Sequence, residues 1–269
     1  MKFNLLTFED AQNPDIPWIL NELDKEKKLA VLHGNEERAN DCWRESEALQ
    51  IALLYIEAFQ KIKNREYREG WYSLERCEIK CKFLQENSSE EFCLKKRVFF
   101  ISDRISALQS LYPYSVFSSP GFTVGYYTCS ICNHKIRPRS RCAHVKGKIY
   151  SGELCLHRGH DLEFKEISIV SKPVQKYSVV HDDRTLDFSI LEYLMSALDD
   201  GFEGWDMIHT TMSFPIERFN RVEPNHECPC RSGAQFGVCC ADKKEIEIPH
   251  IAFALETPPT QPLGIKFPY

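Results

Sequence analysis

The run Cys129-Ser130-Ile131-Cys132, then Arg141-Cys142-Ala143-His144, then Tyr150-Ser151-Gly152-Glu153-Leu154-Cys155, divides the chain into a helical part before it and a mixed part after it. A Cys-x-x-Cys knuckle turns two sulfurs and the following amides towards one point, which is what a tetrahedral zinc ion requires. The most compact completion is Cys142 with His144, a Cys3His set closed over a short loop, with Cys155 as the alternative to either. A redox dithiol would instead sit at a strand–helix junction of a βαβ unit, and no such pattern surrounds this knuckle.

Upstream the periodicity is helical. Tyr67, Trp71, Leu74, Cys81 and Leu84 recur at three- and four-residue steps, as do Ile101, Ile105, Leu108 and Tyr112. Residues 41–63 are apolar around much of a helical circumference, which suits a helix buried by its neighbours. Asp15 before Ile16-Pro17 is a helix start whose carboxylate can accept from first-turn amides, and Pro113 closes the region. Cys42, Cys77, Cys81 and Cys93 fall in this part and read as buried core thiols.

Around the knuckle the pattern changes to strands, at residues 122–127 and 167–170, rich in β-branched and aromatic side chains. Helical signal returns over 186–198 and again around 205–212. A stretch with Pro258, Pro259, Pro262 and Pro268 reads as an extended tail. The expected class is α+β: a helical domain over 1–115, a basic β-rich Cys/His module over 116–181, a helical segment over 182–224, a short cysteine motif over 225–241, and a tail over 242–269.

Composition sets the outer limits. The 269 residues are 43% hydrophobic, enough for a sizeable core, and the net charge is −5, so the chain as a whole is no polyanion-binding tail. The longest apolar run, 51–59, is broken by Glu57 and is too short to span a bilayer, and the N-terminus turns acidic at Glu9 and Asp10. No membrane partner is expected, and the twelve cysteines are expected in a reducing, cytoplasmic compartment, where close spacing points to metal. Charge is uneven. Residues 125–180 hold ten Lys and Arg against four Asp and Glu, a net of +6, whereas residues 181–269 carry −8. Either an outside anion meets the basic middle, or the chain's own acidic residues, such as Asp182-Asp183 and Asp199-Asp200, neutralise it. Arg137, Arg139 and Arg141 alternate inside the knuckle loop with Lys146 and Lys148 nearby, and guanidinium groups beside Tyr126, Tyr127 and Tyr150 suit phosphates and bases.

A second cysteine set is denser still: Cys228-Pro229-Cys230-Arg231-Ser232-Gly233, then Phe236, then Cys239-Cys240. Four thiolates on thirteen residues can meet only by folding around an ion, and so short a piece buries no core of its own. This stretch resembles the SEC-C zinc motif found at the C-terminus of the preprotein translocase SecA and as an appendage on other bacterial proteins. The resemblance covers residues 228–240 and implies zinc and a bacterial cytoplasmic origin. Arg231 stands where that motif usually has glycine, and the loop Ala234-Gln235-Phe236-Gly237-Val238 lacks the lysines that engage the chaperone SecB, so SecB is not an expected partner. The central Cys/His module resembles those of phage and mobile-element proteins, which implies no activity.

No phosphate loop, nucleophile elbow or His-Glu-x-x-His helix is present. His144, His157, His160, Asp161, Glu163 and Lys165 form the one set with catalytic potential, that of a metal-dependent nuclease. The primary expectation is a protein- or nucleic-acid-binding module carrying two structural zinc sites, Cys129/Cys132/Cys142/His144 and Cys228/Cys230/Cys239/Cys240, with no catalytic residue assigned.

Overall fold

The computed structural model describes residues 8–258 and is an α+β protein. Two compact units are resolved: one runs to Met195 and takes in Asp200–Phe202, and the other comprises Ser196–Asp199 and the chain from Glu203.

The first unit opens with six helices: α1 (Phe8–Ala11), α2 (Ile16–Leu32), α3 (Glu36–Lys63), α4 (Tyr67–Glu86), α5 (Glu90–Lys95) and α6 (Val98–Leu111). The longest, α3, starts where the Asn35 side chain accepts from the Arg38 amide at 3.0 Å, with Glu36 and Glu37 in its first turn and Lys61 and Lys63 in its last. Those charges match the helix dipole at both ends. Its buried residues, among them Ala39, Leu49, Ile51, Tyr55, Phe59 and Ile62, lie against α2, α4 and α6, as the apolar circumference of 41–63 predicts. Asp15 does flank α2, but its carboxylate makes no capping bond; its own amide donates to the Asn13 side chain instead. Cys42, Cys77, Cys81 and Cys93 are buried in this helical core.

Beyond α6 the aromatic rings of Trp71, Tyr112, Tyr114, Phe117 and Phe188 pack together, with Trp71 4.9 Å from Tyr112 and 5.2 Å from Tyr114 between ring centres. Each such ring withdrawn from water contributes roughly 1.5–3 kcal/mol. The cluster ties the helices to the first residue of β1 (Phe117–Cys129). A strap over residues 171–183 is held on the same helices: Trp71 Nε1 donates to the Lys176 carbonyl at 2.7 Å, Lys176 Nζ meets Glu78, and Arg68 pairs with Asp183.

Strand β1 pairs antiparallel with β5 (His157–Val170) over nearly its whole length, and β2 (Lys135–Ile136) adds two residues at the Cys129 end. Between them lies a small hairpin, β3 (Ile149–Tyr150) and β4 (Glu153–Leu154). Its turn is Ser151-Gly152, at φ 50° and 74°, the two left-handed positions of the tight turn that suits strand twist. The Gly152 amide donates to Asn40 Oδ1 at 2.7 Å, Asn87 Nδ2 donates to the Gly147 carbonyl at 2.7 Å, and the Ile149 amide donates to Asn87 Oδ1. The hairpin is thereby fixed on α3 and the end of α4, and it is the hairpin that carries the chain to Cys155. A 3-10 turn (Asp183–Thr185) and α7 (Ser189–Ala197) come next.

The second unit is a ribbon of β6 (Trp205–Pro215) and β7 (Glu245–Leu255), in antiparallel register from Trp205↔Leu255 to Pro215↔Glu245. Between them come a 3-10 turn (Ile216–Phe219) and the short α8 (Phe236–Cys239). Phe219, Cys228, Phe236, Cys240, Ile246 and Ile248 form its core. Residues 205–212, expected to be helical, are therefore a strand, because eleven residues of ladder with β7 outweigh the helix-like spacing of Trp205, Ile208 and Met212. The expected tail likewise begins as a strand; Pro259, Pro262 and Pro268 lie outside the described residues.

Gly152 supplies a test of the docking. A Cβ there would stand 2.8 Å from the Ala39 carbonyl oxygen and 2.7 Å from Lys27 Cδ, on a left-handed backbone. Gly152→Ala is expected to cost about 2–4 kcal/mol in urea unfolding, as left-handed strain and overpacking combine. Gly34→Ala, at φ 69° with nothing within 4 Å, is expected to cost about 1 kcal/mol.

Candidate metal centres

Cys129 is the last residue of β1, and the chain reverses at once: the Asn133 amide donates to the Cys129 carbonyl at 2.9 Å, with Asn133 at φ 56°. The knuckle is bolted to the segment around Cys155. The Ser130 amide donates to the Leu156 carbonyl at 2.9 Å, and the Leu156 amide donates back to Ser130 Oγ at 2.8 Å. Cys142 and His144 arrive on a loop shaped by Tyr150, whose hydroxyl accepts from the Val145 amide at 2.8 Å and whose ring meets His144 edge-on at 4.6 Å. The donor atoms of Cys129, Cys132, Cys142 and His144 all lie within 4.8 Å of one another. His144 Nδ1 is buried with no hydrogen-bond partner among the described residues, and a metal ion would satisfy it.

Cys155 belongs to the same convergence. It is fully buried, and its sulfur is 3.8 Å from that of Cys129. Sulfurs about 2.3 Å from a tetrahedral centre stand about 3.8 Å apart, so this is the length of a ligand–ligand edge. Cys155 thus touches Cys129 at the edge of the four-donor set, whose members Cys129, Cys132, Cys142 and His144 are the ones that all converge. The spacing Gly147-x-x-Tyr150-x-Gly152-x-x-Cys155 acquires a reason here: Gly147 at φ 87° gives its amide to the Cys155 carbonyl, Tyr150 braces the loop, and Gly152 touches α3.

The second centre is built inside the β6–β7 unit. Cys230 Sγ stands 3.3 Å from Cys228 Sγ and 3.6 Å from Cys239 Sγ, and Cys239 is 3.7 Å from Cys240. All four donors lie within 4.8 Å of one another. The turn that closes the set places Arg231 at φ 58° and Gly233 at φ 79°, and the Cys228 amide donates to the Ala234 carbonyl at 2.8 Å. Arg231 is thus left-handed at the position where the SEC-C motif usually has glycine. Phe236 and Cys240 enter the core beside Ile246, so the thiol set also anchors the apolar cluster.

The electrostatics of the two centres match. Burial pushes the Cys129 thiol up, but the amides of Cys132 and Ile131 and the thiols of Cys142 and Cys155 outweigh it and pull it down to about 6. Burial and then Cys129 push Cys155 up to about 11. In the second centre the Ser232 hydroxyl, opposed by burial and aided by Cys228 and Cys239, pulls Cys230 down to about 6, while burial pushes Cys228 up to about 12. Each centre so holds one readily ionised sulfur, Cys129 or Cys230, beside a buried thiol, Cys155 or Cys228, that resists ionising with it, because burial and then the adjacent sulfur disfavour a second charge. A dication between them removes that repulsion and lets all ionise.

No family model, curated protein or solved structure matches the chain. Its chemistry has to be read from the residues themselves, and all twelve cysteines are free of disulfides.

The basic residues singled out in the sequence divide between solvent and scaffold. Arg137 and Ser140 close a two-residue turn through paired backbone bonds of 2.9 and 3.1 Å, with Pro138-Arg139 at its tip. Arg137, Arg139, Arg141 and Lys146 are exposed, and none forms an ion pair among the described residues. Lys148 is exposed as well, but its Nζ is engaged, donating to the Glu86 carbonyl at the end of α4 at 2.6 Å. The nuclease set is not gathered into one place. His157, His160, Asp161, Glu163 and Lys165 are strung along β5, about 26 Å from first to last. His160 bonds Thr128 at 2.8 Å, and Glu163 pairs with Lys165 at 2.6 Å. Sequence reasoning overlooked Ser130 and Asn87, polar residues whose partners are distant in the chain, and saw Ser232 only as part of a chain reversal, not as a hydroxyl beside Cys230.

Metal-dependent structure can be located by hydrogen exchange. Cys129→Ser is expected to speed amide exchange about tenfold or more at Ser130, Cys155 and Leu156, with the effect confined to the first unit, and Cys228→Ser to do the same at Cys228, Phe236 and Cys240.

Proposed function

We propose that both centres hold zinc as structural ions and that the central one presents a basic loop to nucleic acid. Zinc suits the donors: it takes thiolate and imidazole ligands in a tetrahedron and imposes no further geometric demand. Sites closed by four protein ligands leave no position for a reactive water, so their role is to hold shape. The thirteen-residue second centre is read as a SEC-C-like zinc piece, and the fully reduced cysteine set fits a reducing bacterial cytoplasm.

One observation carries the nucleic-acid reading. Arg137, Arg139 and Arg141 project from a loop anchored at both ends by metal donors, Cys132 and Cys142, and no carboxylate of the described chain pairs with them. Two acids that the sequence offered as neutralising partners are otherwise engaged: Asp182 binds Arg184, and Asp183 binds Arg68. Guanidinium groups that the fold leaves unpaired keep their full affinity for phosphate oxygens.

Binding of a labelled oligonucleotide, followed by fluorescence anisotropy across a salt series, tests this. The affinity is expected to fall steeply with salt. Replacing Arg137, Arg139 and Arg141 together by alanine is expected to reduce the log–log slope by about 2, at roughly 0.7 per lost contact to a single strand. Absence of binding at low salt would overturn the reading in favour of a protein partner.

A further inference from the structure

Cys155 stands outside the four donors that converge, yet its sulfur is already at ligand spacing from one of them. The side chain is fully buried, and Sγ lies 3.8 Å from that of Cys129, the edge length of a tetrahedral thiolate site. The backbone that carries it is firmly held. The Cys155 amide donates to the Lys148 carbonyl and its carbonyl accepts from the Gly147 amide, both at 2.8 Å. One residue on, Leu156 and Ser130 exchange the two bonds that join this segment to the knuckle. Just before it, the β3–β4 hairpin rests on the helices through Gly152 and Ile149.

His144 is the contrasting donor. It is half-buried on a stretch, residues 141–145, that has neither helix nor strand, and its ring meets Tyr150 edge-on. Its carbonyl lies 3.9 Å from the Cys142 sulfur. It is also the one member of the central set that is not a sulfur, so Cys129, Cys132 and Cys142 converge with or without it. Zinc accepts either a fourth thiolate or an imidazole in the same tetrahedron, because its filled d shell imposes no geometry of its own.

We propose that Cys155 is a reserve ligand of the central centre and takes the fourth position on zinc when His144 leaves it. The inference rests on the zinc reading above and adds a ligand to that same site. In the exchange a zinc–nitrogen bond breaks and a zinc–sulfur bond forms. The Cys155 proton passes to solvent, and the centre gains one negative charge. Cys132 and Cys142 keep their places, so the arginine loop stays anchored at both ends throughout. The replaceable donor is the one on irregular chain, and its substitute is the one fixed to the hairpin.

Zinc per chain, measured by mass spectrometry of the whole protein under non-denaturing conditions, tests this. The unaltered protein, His144→Ala and Cys155→Ser are each expected to hold two zinc ions, and the double variant His144→Ala, Cys155→Ser to hold one. Cobalt substitution gives a second readout that does not depend on how the double variant folds. Thiolate-to-cobalt charge-transfer absorption of His144→Ala is expected to exceed that of the unaltered protein by about one part in seven, as one further thiolate joins the seven of the two centres. Loss of a zinc ion from either single variant, or two zinc ions in the double variant, would overturn the reserve role and leave the zinc reading standing. An unchanged cobalt spectrum in His144→Ala would do the same. Absence of zinc from the unaltered protein would overturn both.

Discussion

Sulfurs held 3.3–3.8 Å apart, as at Cys228–Cys230 and Cys129–Cys155, are in contact as thiols and in conflict as thiolates. A dication turns that conflict into cohesion, and binding free energy at such sites is folding free energy. In the second unit the effect reaches beyond the ligands. Cys228 and Cys240 are core residues beside Phe219, Phe236, Ile246 and Ile248, so the ion would fix the apolar cluster that a two-stranded ribbon cannot assemble unaided.

The central centre works differently. Its four donors come from the end of β1 with the turn that follows and from the loop braced by Tyr150, and Cys129 is in turn touched by Cys155, in the segment just after the β3–β4 hairpin. The helical layer positions the last of these through Asn40, Asn87 and the close approach at Gly152. The contact with Cys129 and the helices thus constrain opposite ends of the same hairpin. The same closure would anchor the arginine loop at both ends, at Cys132 and Cys142.

Much of this was legible in the sequence because the signals are local. Cysteine and histidine spacing located both thiol-rich clusters, and the three- to four-residue steps marked α3, α4 and α6. Two things were not legible. Trp205, Ile208 and Met212 mimic a helical stripe, and the strand that decides otherwise lies some forty residues away; that strand falls within the expected tail, and because each strand of a two-stranded ribbon is an edge it tolerates Pro249 opposite Thr211. The proximity of Cys155 to Cys129 was open in the sequence for a similar reason, since it depends on Ser130 and Leu156 exchanging hydrogen bonds across twenty-six residues.

The most direct test of the central claim is the metal content of the native protein, by mass spectrometry under non-denaturing conditions with elemental analysis of the same sample. Two zinc ions per chain, lost together with ordered structure on treatment with a strong chelator, is the expected result. A chain that carries no transition metal and keeps its structure in chelator, or one in which these cysteines are joined as disulfides, would contradict the account.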